Sequence, residues 1–196
     1  MKKGYVYTIV FMLIVSALCT LLLAGTNYAL KDKTNQNAVV AERRALLEAF
    51  DLPSEGTNDE VSERFEQAVK PAELAGMEGY QWEKDGQVAG LAVPFEGSGL
   101  WGTIRGYLAV TPDLSEVLGL VFTEQNETPG LGGRIDEAPF KEQFRGIKIG
   151  EDNLFSYGNG DNQVDAVTGA TLTSNALLNI LNRVLTETLP QITEVK

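Results

Sequence analysis

Apolar positions change their spacing along this chain, and each change marks a different kind of element. Between Gly4 and Leu30 there is no charged residue, and the run VYTIVFMLIVSALCTLLL (Val6–Leu23) is almost wholly apolar, with no polar face. At about 1.5 Å per residue it spans about 27 Å as a helix, close to the roughly 30 Å core of a bilayer. Tyr5 and Tyr7 at one end and Tyr28 at the other stand where interfacial aromatic belts form. Two readings are open: an uncleaved anchor, and a signal peptide removed after export. The run is long for a signal core, and its small-residue exits near Ala24 and Ala29 match an A-x-A site poorly. That favours a transmembrane anchor over residues 1–30.

From Lys31 to Asp51 the apolar residues Val39, Leu46, Leu47 and Phe50 recur at helical spacing. They predict a helix capped by Thr34 or Asn35 and stopped by Asp51-Leu52-Pro53. The stretch SEGTNDEVSERFEQAVK predicts a shorter second helix with Val61, Phe65, Ala68 and Val69 on its inner face. Residues 31–75 therefore read as a membrane-proximal helical segment.

After it the period falls to two. Tyr80–Lys84, an Asp85-Gly86 turn and Gln87–Phe95 predict a β-hairpin, because Asp-Gly suits a type I′ turn. Trp101–Val110 and Val117–Gln125, joined by TPDLSE, predict another. EAPFKEQFRG predicts a helix followed by a short apolar IKIG. A final helix starts around Thr173, with Ala176, Leu177, Ile180, Leu181, Val184 and Leu185 on one face. The fold class is α+β: an N-terminal transmembrane helix, then a domain over 76–196 of antiparallel β-hairpins packed with helices.

Composition narrows the chemistry. The 196 residues include no histidine, which excludes Ser-His-Asp and Cys-His catalysis and histidine-bearing zinc sites. Cys19 is the only cysteine, so intrachain disulfides and cysteine-ligated iron–sulfur clusters are excluded too. It reads as a packing residue, since Leu18 is not the small residue a lipoprotein cysteine follows. Any redox chemistry must come from an organic cofactor. Lys2 and Lys3 are the only charges before Lys31, so the chain beyond Leu30 holds 14 of the 16 basic residues and all 27 acidic ones, a net of −13. No basic patch suits nucleic acid. Lys31, Lys33, Arg43 and Arg44 balance Lys2 and Lys3, so charge alone leaves the orientation of the anchor undecided.

Two stretches carry candidate chemistry. EQNETPGLGG (Glu124–Gly133) follows a predicted strand. It is either a surface loop in which Pro129 and three glycines make turns, or a segment whose glycines let backbone approach a flat or anionic ligand. It lacks the ending of a P-loop. DAVTGATLTS (Asp165–Ser174) gathers four hydroxyl residues at the start of the last helix. One reading is plain capping by Thr171 or Thr173. The other uses the helix start as an anion site, with Gly169 and Ala170 keeping the turn small enough for a bulky group to reach Thr171. With no base beside it, Thr171 is no self-activated nucleophile, but it can be an acceptor that another enzyme modifies.

The order Asp165-Ala166-Val167-Thr168-Gly169-Ala170-Thr171 matches D-x-x-[ST]-G-A-[ST], the motif on which ApbE-type flavin transferases attach FMN. EQNETPGLGG and GLWGTIRGYLAV resemble segments of NqrC, the FMN-binding member of the Na⁺-translocating NADH:quinone reductase complex. The loop also resembles that of RnfG, its counterpart in the Rnf electron transport complex. The anchor and RRALLEAFDLP fit as well. The chain is nearer the size of RnfG, yet Gln125 and Asn126 stand where RnfG tends to carry histidine.

The resemblance implies FMN joined by a phosphoester to Thr171, a single-pass protein of the cell membrane with its flavin domain outside the cytoplasm, and integral membrane subunits as partners. It makes Asp165, Thr168, Gly169 and Ala170 recognition and turn residues. Glu127, Thr128, Pro129, Gly130, Leu131 and Gly132 become a wall over the ring, touched chiefly by Leu131. Trp101 is either a stacking residue or core. Glu124 and Glu127 invite a sodium-site reading that the acidity of the whole body weakens; no metal site is assigned, and no residue is given a catalytic role. The alternatives are an RnfG-like carrier, a stand-alone membrane-anchored flavoprotein, and a binding module whose threonine-rich turn merely caps a helix.

Overall fold

The computed structural model describes residues 2–150, 154–158, 160 and 162–192. The apolar run and the segment after it form one uninterrupted helix, α1 (Lys2–Ala49). No new helix is capped at Thr34 or Asn35, because nothing in that stretch breaks the hydrogen-bond ladder. Its apolar part qualifies by length and composition as a membrane span. The chain divides into two compact units, residues 1–39 and 40–196.

The second unit is built on a five-stranded antiparallel sheet in sequential order: β1 (Val69–Leu74), β2 (Met77–Lys84), β3 (Gln87–Ser98), β4 (Thr103–Val110) and β5 (Val117–Glu124). Both expected hairpins are present. Asp85 and Gly86 have φ of 52° and 78°, as a type I′ turn requires. The first strand was not expected. Val69, assigned above to the inner face of the second helix, instead opens β1, and α2 (Asn58–Ala68) ends one residue earlier. Pro71 blunts this open edge by removing a ladder donor. At the other end, Thr57 and Glu60 close a capping box on α2.

Alternation along the strands separates two cores. One face carries Leu91, Val93, Phe95, Ile104, Leu108 and Phe122 and is covered by α4 (Thr171–Arg183) through Leu177, Ile180 and Leu181. The opposite face carries Ala92, Ala109 and Val121. It is covered by Leu46, Leu47 and Phe50 from the end of α1, and by Val61 and Phe65 from α2. Small residues on that face let helices lie close to the sheet. The last turn of α1 has no basic residue of its own. Arg145 donates to the Glu48 carbonyl at 3.2 Å and Lys141 pairs with the Glu48 carboxylate at 2.7 Å, so two cations meet the negative end of the helix.

EAPFKEQFRG is less regular than expected. It forms a single turn, α3 (Ala138–Lys141), then a 3-10 turn (Glu142–Phe144), with Phe140 and Phe144 both buried. A short parallel pair, β6 (Ser156–Tyr157) and β7 (Gln163–Val164), leads into the segment before α4. That helix begins at Thr171, two residues before the expected start, and continues into a π-helical turn (Val184–Thr188).

Candidate functional site

The start of α4 is unusual in what it lacks. Its N-cap residue is Ala170, and no side chain caps the helix. The first N–H groups of any helix have no intrahelical acceptor, so here they stay available. The capping reading of the threonines therefore does not describe this turn. Thr171 is the first helical residue and exposed, and its hydroxyl makes no hydrogen bond among the described residues. Thr173 is buried and points elsewhere: its hydroxyl donates to the carboxylate of Glu127.

Glu127 ties three segments together. It is only 4% exposed. One carboxylate oxygen receives Thr173; the other accepts the backbone N–H groups of Leu100 at 2.9 Å and Trp101 at 3.0 Å. Gln125 accepts the N–H of Glu127 itself at 3.0 Å. Sequence reasoning gave Glu127 to a wall over a ligand or to a sodium pair, but its oxygens are spent inside the protein. Glu124 is separately engaged, pairing with Arg105 at 2.7 Å.

The loop after Glu127 is a compact turn. Thr128 O accepts from Leu131 N at 3.1 Å and from Gly133 N at 2.9 Å, leaving Thr128, Pro129 and Gly130 exposed. Gly132 is buried against the knot. A Cβ there would lie 2.6 Å from Thr173 Oγ1 and 2.9 Å from Glu127 Oε2, so its small size serves protein packing rather than ligand approach. Gly169, at φ +80°, turns the Asp165–Ala170 segment so that its α-carbon faces Leu131; a Cβ would sit 3.4 Å from Leu131 Cδ2. The two stretches singled out in the sequence are thus neighbours in space.

Four large apolar side chains are exposed on these segments: Leu172 (64% exposed) next to Thr171, Leu131 (45%), and, on the loop held by Glu127, Trp101 (70%) and Leu100 (49%). Trp101 is not core. Exposed large apolar residues gathered beside free helix N–H groups suit a ligand with a flat apolar body and an anionic tail.

The Asp165–Ala170 turn is pinned from behind. Gln143 Oε1 accepts Asp165 N–H at 2.6 Å, Ser174 Oγ accepts Val167 N–H at 3.2 Å, and Val167 O accepts Ala170 N–H at 3.0 Å. Tyr157 packs against the core, and burial pushes its phenol up to about 12. Neither Gln143 nor Ser174 carried a sequence signal for this role, because each is fixed by a contact from another part of the fold. The side chains of Asp165 and Thr168 face outward and are not used by the turn.

Residues 99–186, which include both stretches, match the family model described as the FMN-binding domain. The chain is 38% identical over 102 residues to the NqrC protein of the Na(+)-translocating NADH-quinone reductase of Pasteurella multocida, covering 48% of this chain and 39% of that relative. It is 27% identical over 226 aligned positions to the NqrC protein of Neisseria meningitidis serogroup A, covering 90% of this chain and 88% of the relative. The crystal structure of NqrC from Parabacteroides distasonis superposes with a TM-score of 0.70 at 23% identity, covering 85% of this chain and 98% of that one, a likeness of fold. Residues 99–186 are thus similar to the FMN-binding domain family. Along most of its length the chain is similar to NqrC proteins.

Proposed function

We propose that the chain is the FMN-carrying electron-transfer subunit of an Na⁺-translocating NADH:quinone reductase. The cofactor is esterified through its phosphate to Thr171. The flavin domain lies outside the cytoplasm, anchored by the apolar part of α1, and docks on integral membrane subunits. The supporting observation is a threonine left exposed and unbonded at the first position of a helix that nothing caps. The residues present fit the group: free N–H groups of α4 meet the phosphate, while Leu131, Leu172 and Trp101 offer apolar surface to the ring. Bound FMN supplies the redox chemistry that the side chains lack. Glu127 and Thr173 hold the flanking loops in register, and a link through the phosphate prevents loss of the cofactor from an extracytoplasmic domain. Similarity to NqrC along nearly the whole chain favours this complex over an RnfG-like or stand-alone carrier.

The test uses protein co-expressed with an ApbE-type flavin transferase and exported. Flavin fluorescence should survive SDS gel electrophoresis in the wild type, persist in Thr171→Ser, and vanish in Thr171→Ala. A fluorescent band in Thr171→Ala would rule out this attachment. Co-purification with membrane subunits tests the complex separately.

A further inference from the structure

Helix α4, which begins at Thr171, and the last turn of α1 cover opposite faces of the sheet. Residues 132–145 pass from one side to the other around the edge strand β5. Just beyond them, Gly146 N–H donates to Val117 O at 2.8 Å and Val117 N–H to Ile147 O at 2.9 Å, which fixes the segment to that edge. The front of the segment is a 3-10 turn, Gly132–Asp136, that continues the Thr128–Leu131 loop. Its far end reaches α1 through Lys141 and Arg145.

Lys141 is the joint. Its side chain is only 11% exposed, and its ammonium serves two carboxylates, Glu48 of α1 at 2.7 Å and Asp136 at 3.6 Å. Asp136 is the last residue of the 3-10 turn. Burial pushes the Asp136 carboxyl up, and Lys141 draws it back down against the opposing charge of Glu48. Without the ammonium, Glu48 and Asp136 face each other as like charges, and the end of the turn is driven away from α1. Arg145 does not take its place: it donates to the Glu48 and Leu118 carbonyls and pairs with Glu142, so it meets neither of those carboxylates. Nor do the buried side chains of the segment, since Ile135, Phe140 and Phe144 join the core on the α4 side.

We propose that Lys141 is a positioning residue for the flavin: by holding Asp136 to Glu48 it sets the Thr128–Leu131 loop relative to the last turn of α1. The surroundings of the ring then depend on a helix that covers the other face of the sheet. The inference rests on the reading of Thr171 as the attachment site, and adds to it a link from α1 to the loop beside the cofactor. Lys141 touches neither Thr171 nor the exposed apolar side chains; it acts through Asp136.

The experiment uses the full-length protein in detergent, before and after loading with FMN. Before loading, hydrogen exchange is followed in the Thr128–Glu137 peptide, where the amides of Gly133, Arg134 and Glu137 are bonded within the segment. Lys141→Met and Glu48→Gln should each speed exchange there about threefold to tenfold, as loss of a partly buried ion pair loosens a local unit. After loading, both should shift the visible absorption maximum and the redox midpoint of the flavin. Lys141→Arg should keep exchange, absorption and midpoint at their wild-type values. Arg43→Met breaks a different ion pair of α1, to Glu66 at 3.0 Å, and should leave all three unchanged. Melting temperatures of the variants confirm the fold. If Lys141→Met and Glu48→Gln lower the melting temperature but leave the flavin absorption and midpoint at wild-type values, Lys141 is merely structural and the inference fails while Thr171 stands. If the wild type gains no FMN mass, or Thr171→Ala still gains it, the attachment reading fails and takes this inference with it.

Discussion

The hydroxyl of Thr173 donates to the carboxylate of Glu127, 46 residues earlier in the chain, and both are buried. Through this one bond the start of α4 is joined to the Leu100–Trp101 loop. Truncating Glu127 to Ala leaves two backbone N–H groups and a hydroxyl without their acceptor. The Thr173 hydroxyl is the buried donor of the three, and leaving it unsatisfied costs about 1–3 kcal/mol, so Glu127→Ala should lose about that much stability while the N–H groups of the exposed Leu100 and Trp101 turn to water. Thr173→Val removes one donor and should cost about 1–2 kcal/mol. A double-mutant cycle should give a coupling of about 0.5–3 kcal/mol. Additive losses in denaturant unfolding would show that the two do not act together.

Gly132 gives a steric test of the same knot. Its missing Cβ is the space that Thr173 Oγ1 and Glu127 Oε2 occupy, at 2.6 and 2.9 Å. Gly132→Ala should destabilise by about 1–3 kcal/mol, the usual cost of overpacking. Gly76→Ala has nothing within 4 Å of the added carbon and suffers only the strain of its φ of +76°. In combination with Thr173→Ser, which retains the hydroxyl, Gly132→Ala should stay damaging. Equal melting temperatures for wild type and Gly132→Ala would remove the packing argument.

What the sequence revealed, and what it hid, follows from the range of the interactions. The hairpins were legible because a period of two and an Asp-Gly pair are local signals, and α4 was legible from the spacing of Leu177, Ile180, Leu181 and Val184. The start of α4 was misplaced because Thr173 looks like a cap, whereas its hydroxyl is claimed by a carboxylate far away in sequence. Strand β1 was missed because VKPAEL has little alternation and a proline; it is a strand because β2 pairs with it. Glu127 and Gln143 show the same limit. Their types permit many roles, and only tertiary contacts select one.

Trp101 separates ligand contact from folding. At 70% exposure its side chain adds little to the core, so Trp101→Ala should melt within about 0.5 kcal/mol of the wild type, as surface changes do. If the indole lies against the isoalloxazine, the same change should brighten the fluorescence of loaded protein and shift its visible absorption. Leu131→Ala should shift the spectrum as well. Unchanged spectra in both would place the ring elsewhere on the patch.

Tyr107 carries the pH dependence of the opposite face. Burial, and then its 2.7 Å hydrogen bond to Glu42, raise its phenol well above the ordinary value of 10.0. A raised folded value means the neutral phenol is the form the fold favours. Its contribution is complete below the unfolded value and is lost as pH climbs through the folded one. At pH 10 the folded protein should therefore show no phenolate absorbance that Tyr107→Phe removes, and the difference should emerge on unfolding. Above that pH the stability of wild type should fall more steeply than that of Tyr107→Phe. Parallel alkaline limbs would contradict it.

The end of α1 is a different matter from its beginning. Residues 40–196 form a compact unit, and Leu46, Leu47, Ala49 and Phe50 lie within its core at 3% exposure or less. Removing residues 1–39 should leave a soluble domain that melts cooperatively, because no core residue is lost. Removing residues 1–50 exposes Ala92, Ala109 and Val121 on the sheet and strands Lys141 and Arg145 without Glu48. Losing several large buried side chains at about 2–5 kcal/mol each exceeds the whole stability of an ordinary domain. The shorter truncation should give a sharp melt and the longer one an aggregating chain. Should both fold alike, the last turns of α1 would be a tether, and the second core would need another explanation.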